Sequence, residues 1–250
     1  MLLDPSCKYI SHPPIQLVER QWPDQTISKA PTWLSTDLRD GNQALFEPMN
    51  LNKKHRLFQT LVKVGFKEIE VGFPAGSQID FKFCRQLIEQ NLIPRDVTPM
   101  VMTQLRHDLI DRTLESMNGA QRVIVHLYNA VAPAWREIVF GLTVEQIEQL
   151  VREHVRYLKR RVADFPATEW VLQYSPETFC MAELEVSLRM CHAAMDEWLE
   201  DDNQTMIINL PTTVEVSTPN VFADQIEWMH RHLQRRQQVI LSVHPHNDRG

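Results

Sequence analysis

The chain has 250 residues, 43% hydrophobic and 23% charged, with a formal net charge of -6, the balance of a globular protein able to bury a sizeable core. Net negative charge gives no general attraction for nucleic acid or an anionic membrane, and the basic runs at 159–161 and 235–236 read as solvated helix faces. No apolar run approaches the ~18 residues that span a bilayer, and MLLDPSCKYISHPP at the start carries an acid and prolines where a signal peptide is apolar, so a cytoplasmic address with no nucleic-acid or membrane partner is expected.

Residues 1–30 contain Pro5, Pro13, Pro14 and Pro23 without a period of 2 or 3.6, and are expected to form an irregular arm over the outside of the protein, pinned by Val18, Trp22 and Ile27. From residue 31 a rhythm begins. Strand candidates at 32–38, 67–73, 98–103, 122–128, 170–174, 206–210 and 239–243 are separated by amphipathic segments. Leu57, Leu61, Val62 and Val64 make a helical stripe ended by Gly65, and Thr143 with Gln146 makes a capping box. Thr218 before Pro219 reads as a cap with proline at the first helical position. Trp33, Trp170 and Trp228 read as packing. The four cysteines, Cys7, Cys84, Cys180 and Cys191, form no CxxC pair, so buried thiols are expected. Only seven glycines occur and none builds GxGxxG or GxxxxGKS, which argues against a nucleotide-binding loop.

Alternating strands and helices allow an open doubly wound sheet or a barrel. Most strands here end in polar residues: Asp37 to Asp40, His126 to Asn129, Gln173 to Glu177, Asn209 to Glu215 and His244 to Asp248. Chemistry spread around many strand ends belongs to a barrel, whereas a doubly wound sheet concentrates it at one switch point. The expected fold is therefore α/β, a TIM (β/α)8-type barrel over residues 31–250, truncated after the seventh strand because an eighth unit of roughly 30 residues has no sequence left.

His244 and His246 alternate off the seventh strand to the same side, and barrel closure would carry Asp40 from the first strand toward them. Two imidazoles and a carboxylate with open positions suit a divalent metal, whether Mg, Mn or Zn; rim histidines and a helix-capping Asp40 are the alternative. Amidohydrolases also carry HxH, but on the first strand. Arg39 suits a developing enolate or a carboxylate, or a surface ion pair, and Asp37 could orient it. Glu177, placed on a proline-fixed turn, could be a general base or a carboxylate at a helix N-terminus. Thr212 and Thr213 could donate to a carboxylate or shape a turn. His126 and Tyr128 share a strand face and could line a pocket, with a core histidine as the alternative. Asp248 is expected to cap a following helix.

The segments LSTDLRDGNQAL, EVGFPAGSQIDF, VHLYNA, YSPETF, NLPTTVEVSTPN and VHPHNDRG together resemble the α-isopropylmalate synthase family in its long form, from about residue 10 to residue 250. Asp37-Leu38-Arg39-Asp40 alone would mark a wider group that includes homocitrate and citramalate synthases and hydroxymethylglutaryl-CoA lyase. The resemblance implies Asp40, His244 and His246 as ligands of a divalent metal and Arg39 as an aid to the keto group and enolate. It implies His126, Tyr128 and Thr213 as the keto-acid pocket, and Glu177 in proton transfer. The implied reaction condenses acetyl-CoA with 2-oxoisovalerate to 2-isopropylmalate and CoA, the first committed step of leucine biosynthesis, in a protein that is a homodimer at full length. Family members continue past HPHNDRG, so an inactive fragment is expected. A non-catalytic barrel remnant and a homocitrate or citramalate synthase are the alternatives.

Overall fold

The computed structural model describes residues 3, 4, 6 and 12–247; Cys7, expected as a buried thiol, and Asp248, expected as a helix cap, lie outside the described residues. Seven strands follow one another: β1 (Leu34–Ser35), β2 (Glu68–Gly72), β3 (Thr98–Gln104), β4 (Arg122–Ala130), β5 (Glu169–Glu177), β6 (Met206–Pro211) and β7 (Val239–His244). Between them run α1 (Leu51–Val64), α2 (Gln78–Glu89), α3 (His107–Met117), α4 (Val144–Val162), α5 (Leu184–Trp198) and α6 (Pro219–His232). The strands form one parallel sheet in chain order. Parallel neighbours need a crossover, so the helices pack back on one side and the twisted sheet curls away from them. The curl brings the two ends of the sheet together, with Asp40 Oδ2, just past β1, 3.1 Å from His244 Nε2 at the end of β7. This is the barrel-type architecture expected from the sequence, with no strand between β1 and β7 among the described residues.

Local chemistry sets the helix ends. The Asn50 side chain accepts from the Lys53 amide to open α1, and Gly65 closes it at φ 111°, a conformation only glycine adopts without strain. Thr143 and Gln146 form the reciprocal capping box before α4. Pro219 does start α6, but the Thr218 hydroxyl makes no capping hydrogen bond. On α1 the buried face is Lys54, Phe58 and Leu61, whereas Val64 is exposed. Trp33, expected to pack, is 69% exposed beside the short β1.

Two apolar layers result. The larger lies between sheet and helices and includes Val71, Val125, Leu127, Leu172, Ile208 and Leu210 from the strands, as well as the thiols Cys84 and Cys191. Inside the curl, Met100, Ile124 and Ile207 pack with Leu34 and Val171. Strand side chains alternate, so this inner floor is followed, two residues further along, by the polar His126 on β4, Gln173 on β5 and Asn209 on β6, and by Met102 on β3. The open side shows in one row: Ile207 is 5% exposed, while its β7 partner Ile240 is 58% exposed.

Of the three expected pins of the arm, Trp22 holds it and Val18 and Ile27 do not. Val18 and Ile27 are exposed, and the anchors are charged: Arg20 grips Asp224 of α6 through Nε and Nη2 at 2.7 and 2.8 Å, and Trp22 Nε1 donates to the same carboxylate. The amides of Gln21 and Trp22 donate to Glu227. An extended proline-containing segment offers unpaired backbone groups, and carboxylates on α6 satisfy them better than apolar contact would.

A buried ion pair sets the height of the β1 turn. Lys54 Nζ donates to the Leu38 carbonyl at 2.8 Å and lies 2.8 Å from Asp80 Oδ1, while Asp80 Oδ2 accepts from the Phe73 amide. Gly72 makes room, since a Cβ there would meet Asp80 Oδ2 at 2.7 Å. Asp80→Ala would strand the Lys54 charge, and loss of one partner of such a pair costs about 3–5 kcal/mol. Urea denaturation should show that loss; a change below about 1 kcal/mol would mean that Lys54 escapes to water.

Candidate active site

The first strand is much shorter than the expected 32–38. Residues Asp37–Gly41 wind instead into a wide helical turn, because the amides of Arg39, Asp40 and Gly41 all converge on the Thr36 carbonyl at 3.1, 2.8 and 3.2 Å. Winding places Arg39 and Asp40 side by side over the mouth of the curl. The Arg39 guanidinium is held from both sides, by Glu70 Oε2 at 2.8 Å from Nε and by Asp40 Oδ1 at 2.9 Å from Nη1. Burial alone would lower its pKa, but Glu70 and Asp40 outweigh that and keep it charged. Asp37 does not orient it: its carboxylate accepts from the Ser35 hydroxyl at 2.6 Å. That task falls to Glu70, to which the sequence reading gives no role.

Glu70 sits in β2, fully buried. Burial pushes its pKa up, yet the Arg39 charge and the His126 hydrogen bond outweigh it and hold the carboxyl below its ordinary 4.5. An ionised carboxylate only accepts, so His126 on β4 donates Nδ1–H to it at 3.0 Å. That leaves Nε2 as an acceptor for the Ser175 hydroxyl of β5 at 2.7 Å. Ser175 in turn accepts from Asn209 Nδ2 of β6 at 2.9 Å, and Asn209 Oδ1 accepts from Ser242 of β7 at 3.0 Å. A hydrogen-bond chain thus crosses the interior from β7 to Glu70, each member donating toward that carboxylate, where it meets the guanidinium of the β1 turn.

Above this polar row lies a cavity of about 270 Å³, bordered by the eight residues that the family resemblance implies, Arg39, Asp40, His126, Tyr128, Glu177, Thr213, His244 and His246. A larger cavity of about 780 Å³ lies under the arm near Cys180 and Trp228, and contains none of them. Asp40 Oδ2 is 3.1 Å from His244 Nε2 and 3.9 Å from His246 Nε2, and the two rings stack at 5.2 Å. A donor atom from each of the three lies within 4.8 Å of the others, and two imidazoles with a carboxylate are a donor set that fits a divalent cation. The hydrogen bond from His244, assisted by Arg39 against burial, holds the Asp40 carboxyl at about 2. Thr212 does not face the cavity. Its amide donates to the His244 carbonyl and its hydroxyl accepts from the His246 amide, both at 3.1 Å, so it fixes the histidine-bearing backbone.

Glu177 is the last residue of β5, not part of a turn after it: Pro176 pairs with Asn129 and Glu177 with Ala130 inside the sheet. The helix N-terminus alternative also lapses, since α5 begins only at Leu184. Burial raises its pKa, and Arg39 offsets this only in part. The chain then turns through Thr178 at φ 62°, a strained conformation for a β-branched residue. The turn is braced by Thr178 Oγ1 accepting from the Val131 and Ala132 amides and by the Thr178 amide donating to Thr213 Oγ1 at 3.0 Å. With that lone pair taken, the Thr213 hydroxyl proton is free for the cavity. Tyr128 accepts from Gln104 at 3.0 Å, and burial raises its pKa, so it too remains a donor.

The family model described as HMGL-like matches residues 30–250. The chain belongs to the HMGL-like family. It is 68% identical over 250 residues to the 2-isopropylmalate synthase of Herbaspirillum seropedicae (strain SmR1) and 55% identical over 250 residues to that of Paraburkholderia xenovorans (strain LB400). In both, all of the chain aligns with 44% of the relative, so the chain spans less than half the length of these curated relatives. The fold matches the HMG-CoA lyase of Bacillus subtilis with a TM-score of 0.60 at 15% identity, over 87% of the chain and 69% of the lyase. The resemblance drawn from the six sequence motifs is thereby borne out, as is the barrel-type fold. Among the described residues, no helix is long and apolar enough to cross a membrane.

Glu70 has a measurable signature. Its folded pKa lies below its ordinary 4.5, so its contribution to stability is complete above that value and is lost as pH falls through the folded pKa. The stability gap between the native chain and Glu70→Gln, read from thermal midpoints, should be widest near about pH 6 and shrink below about pH 4.5. A gap that stays constant with pH would show that the carboxyl is not ionised.

Proposed function

We propose that this site performs the acyl-transfer chemistry of a 2-isopropylmalate synthase, condensing acetyl-CoA with 2-oxoisovalerate, with Asp40, His244 and His246 holding a divalent metal. The observation that carries the reading is the meeting of Asp40 with both histidines from opposite ends of the sheet, next to a fixed guanidinium. When bound, the cation supplies Lewis-acid polarisation of the keto-acid oxygens.

The chain's own residues supply the rest. Glu177, its pKa raised by burial, takes a proton from the acetyl methyl group. The resulting enolate carbon bonds to the keto carbon as the carbonyl π pair moves onto oxygen, and that alkoxide takes a proton from water to become the hydroxyl of the product. Arg39 presents a fixed positive charge where the oxyanion develops, without reorganisation at the moment of reaction. Thr213 and Tyr128 offer hydroxyl donors to the acceptor's carboxylate. His126 acts as wall and positioner, because both of its ring nitrogens are already engaged. Water then hydrolyses the thioester and releases CoA.

The test is thiol release from acetyl-CoA, dependent on 2-oxoisovalerate and a divalent metal. It is measured in a chimera that joins these 250 residues to the remaining part of the Herbaspirillum relative. Preference for 2-oxoglutarate or pyruvate would replace the reading with homocitrate or citramalate synthase, and no turnover with any acceptor would favour a non-catalytic remnant.

In the same chimera, Glu177→Gln should lower kcat by about 10²–10⁴ and leave metal binding intact, whereas His244→Ala should weaken metal binding itself. Near-native kinetics in either variant would remove that residue from the site.

A further inference from the structure

A second cluster of metal-ligating side chains lies on the outside of the sheet, between α3 and α4, and shares no residue with the cavity. His107 opens α3, and Glu153 and His154 are consecutive on α4. A nitrogen of each imidazole and a carboxylate oxygen of Glu153 lie within 4.8 Å of one another, the same limit that the Asp40 trio meets. His107 Nε2 is 3.4 Å from Glu153 Oε1. Two ligands each about 2.1 Å from a tetrahedral zinc ion stand roughly 3.4 Å apart, so this pair is already spaced for a shared ion.

His154 is prepared as a ligand in a different way. Its Nδ1–H donates to the Leu150 carbonyl at 2.8 Å, which fixes the ring and leaves Nε2 unprotonated. A backbone carbonyl on the far nitrogen is the usual support of a metal-bound histidine. The residue is buried, so its ring is held in place against α4. The His107 ring lies over Tyr157 at 4.0 Å and beside His154 at 4.7 Å, and Tyr157 is itself tied to Asp111 at 2.8 Å. The two outer members, His107 and Glu153, have side chains 45% and 60% exposed.

We propose that His107, Glu153 and His154 form a second divalent-metal site, for zinc or another imidazole-seeking transition ion, that clasps the first turn of α3 to the middle of α4. Imidazole nitrogens are good ligands for zinc, nickel and copper, and the 3.4 Å spacing of His107 and Glu153 matches the tetrahedral preference of zinc. Three protein ligands leave a fourth position for water.

Equilibrium dialysis of the chain against buffered Zn²⁺ tests this. The native chain should retain two zinc ions, His244→Ala/His246→Ala one, and the same double variant with His107→Ala none. In the native background, His107→Ala and Glu153→Gln should each lower retention from two to one, which keeps the test valid if the double variant folds poorly. Zinc should also raise the thermal midpoint of His244→Ala/His246→Ala and not that of its His107→Ala derivative. Equal zinc retention with and without His107, or a single ion on the native chain that is lost with His244 and His246, would overturn the proposal.

Discussion

A carboxylate inside a curled sheet has no water to solvate it, and the desolvation penalty for one buried ion is several kcal/mol. Glu70 is in that position, and it persists as an anion because Arg39 and His126 both donate to it. Each partner gives up freedom in return. Arg39 cannot swing into solvent, so its charge stays aimed at the cavity. His126 is restricted to one tautomer, which dictates the direction of every hydrogen bond onward through Ser175, Asn209 and Ser242. A single buried charge on β2 thereby sets the polarity of side chains on four other strands.

The rim depends on short departures from regular structure. β1 ends after two residues because three amides compete for the Thr36 carbonyl, and the wound turn, not a strand, carries the cation and the first acid. Lys54 holds that turn from below through the Leu38 carbonyl. On the opposite wall, Thr178 accepts a strained backbone so that Glu177 can end a strand while Thr213 remains within reach. A carboxylate on a regular strand, Glu177, and a hydroxyl on a braced turn, Thr213, divide rigidity from reach.

Period and punctuation in the sequence were enough to order all seven strands and to place the polar bursts at their C-terminal ends. They also sufficed to bring Asp40, His244 and His246 together, since HxH on a strand and an acid after the first strand need only closure to meet. Glu70 was not legible, for a physical reason. Glu68 and Glu70 alternate with Ile69 and Val71, the pattern of a strand with one face in water, and only the curl of the whole sheet turns that face inward. Ser175 and Asn209 lie within the noted bursts, yet their part depends on partners on the adjacent strands and, through them, on Glu70 three and four strands away. The arm misled for the opposite reason. Its apolar residues suggested a hydrophobic clasp, whereas the partners that hold it, Asp224 and Glu227, read in the sequence as an ordinary polar helix face.

Asp40 and the two histidines come from opposite ends of the chain, and this bears on the order of events during synthesis. β1 to β6 add one neighbour at a time, so each new strand finds its partner already made and the apolar layer grows outward from the N-terminal end. The ligand trio is different, because neither half exists as a site until the seventh strand has left the ribosome and swung round to the first. Before that moment the Asp40 carboxylate can pair only with Arg39. An incomplete nascent chain therefore lacks the proposed site at the two ends of the sheet, and a cation held there would mark a chain translated through His246.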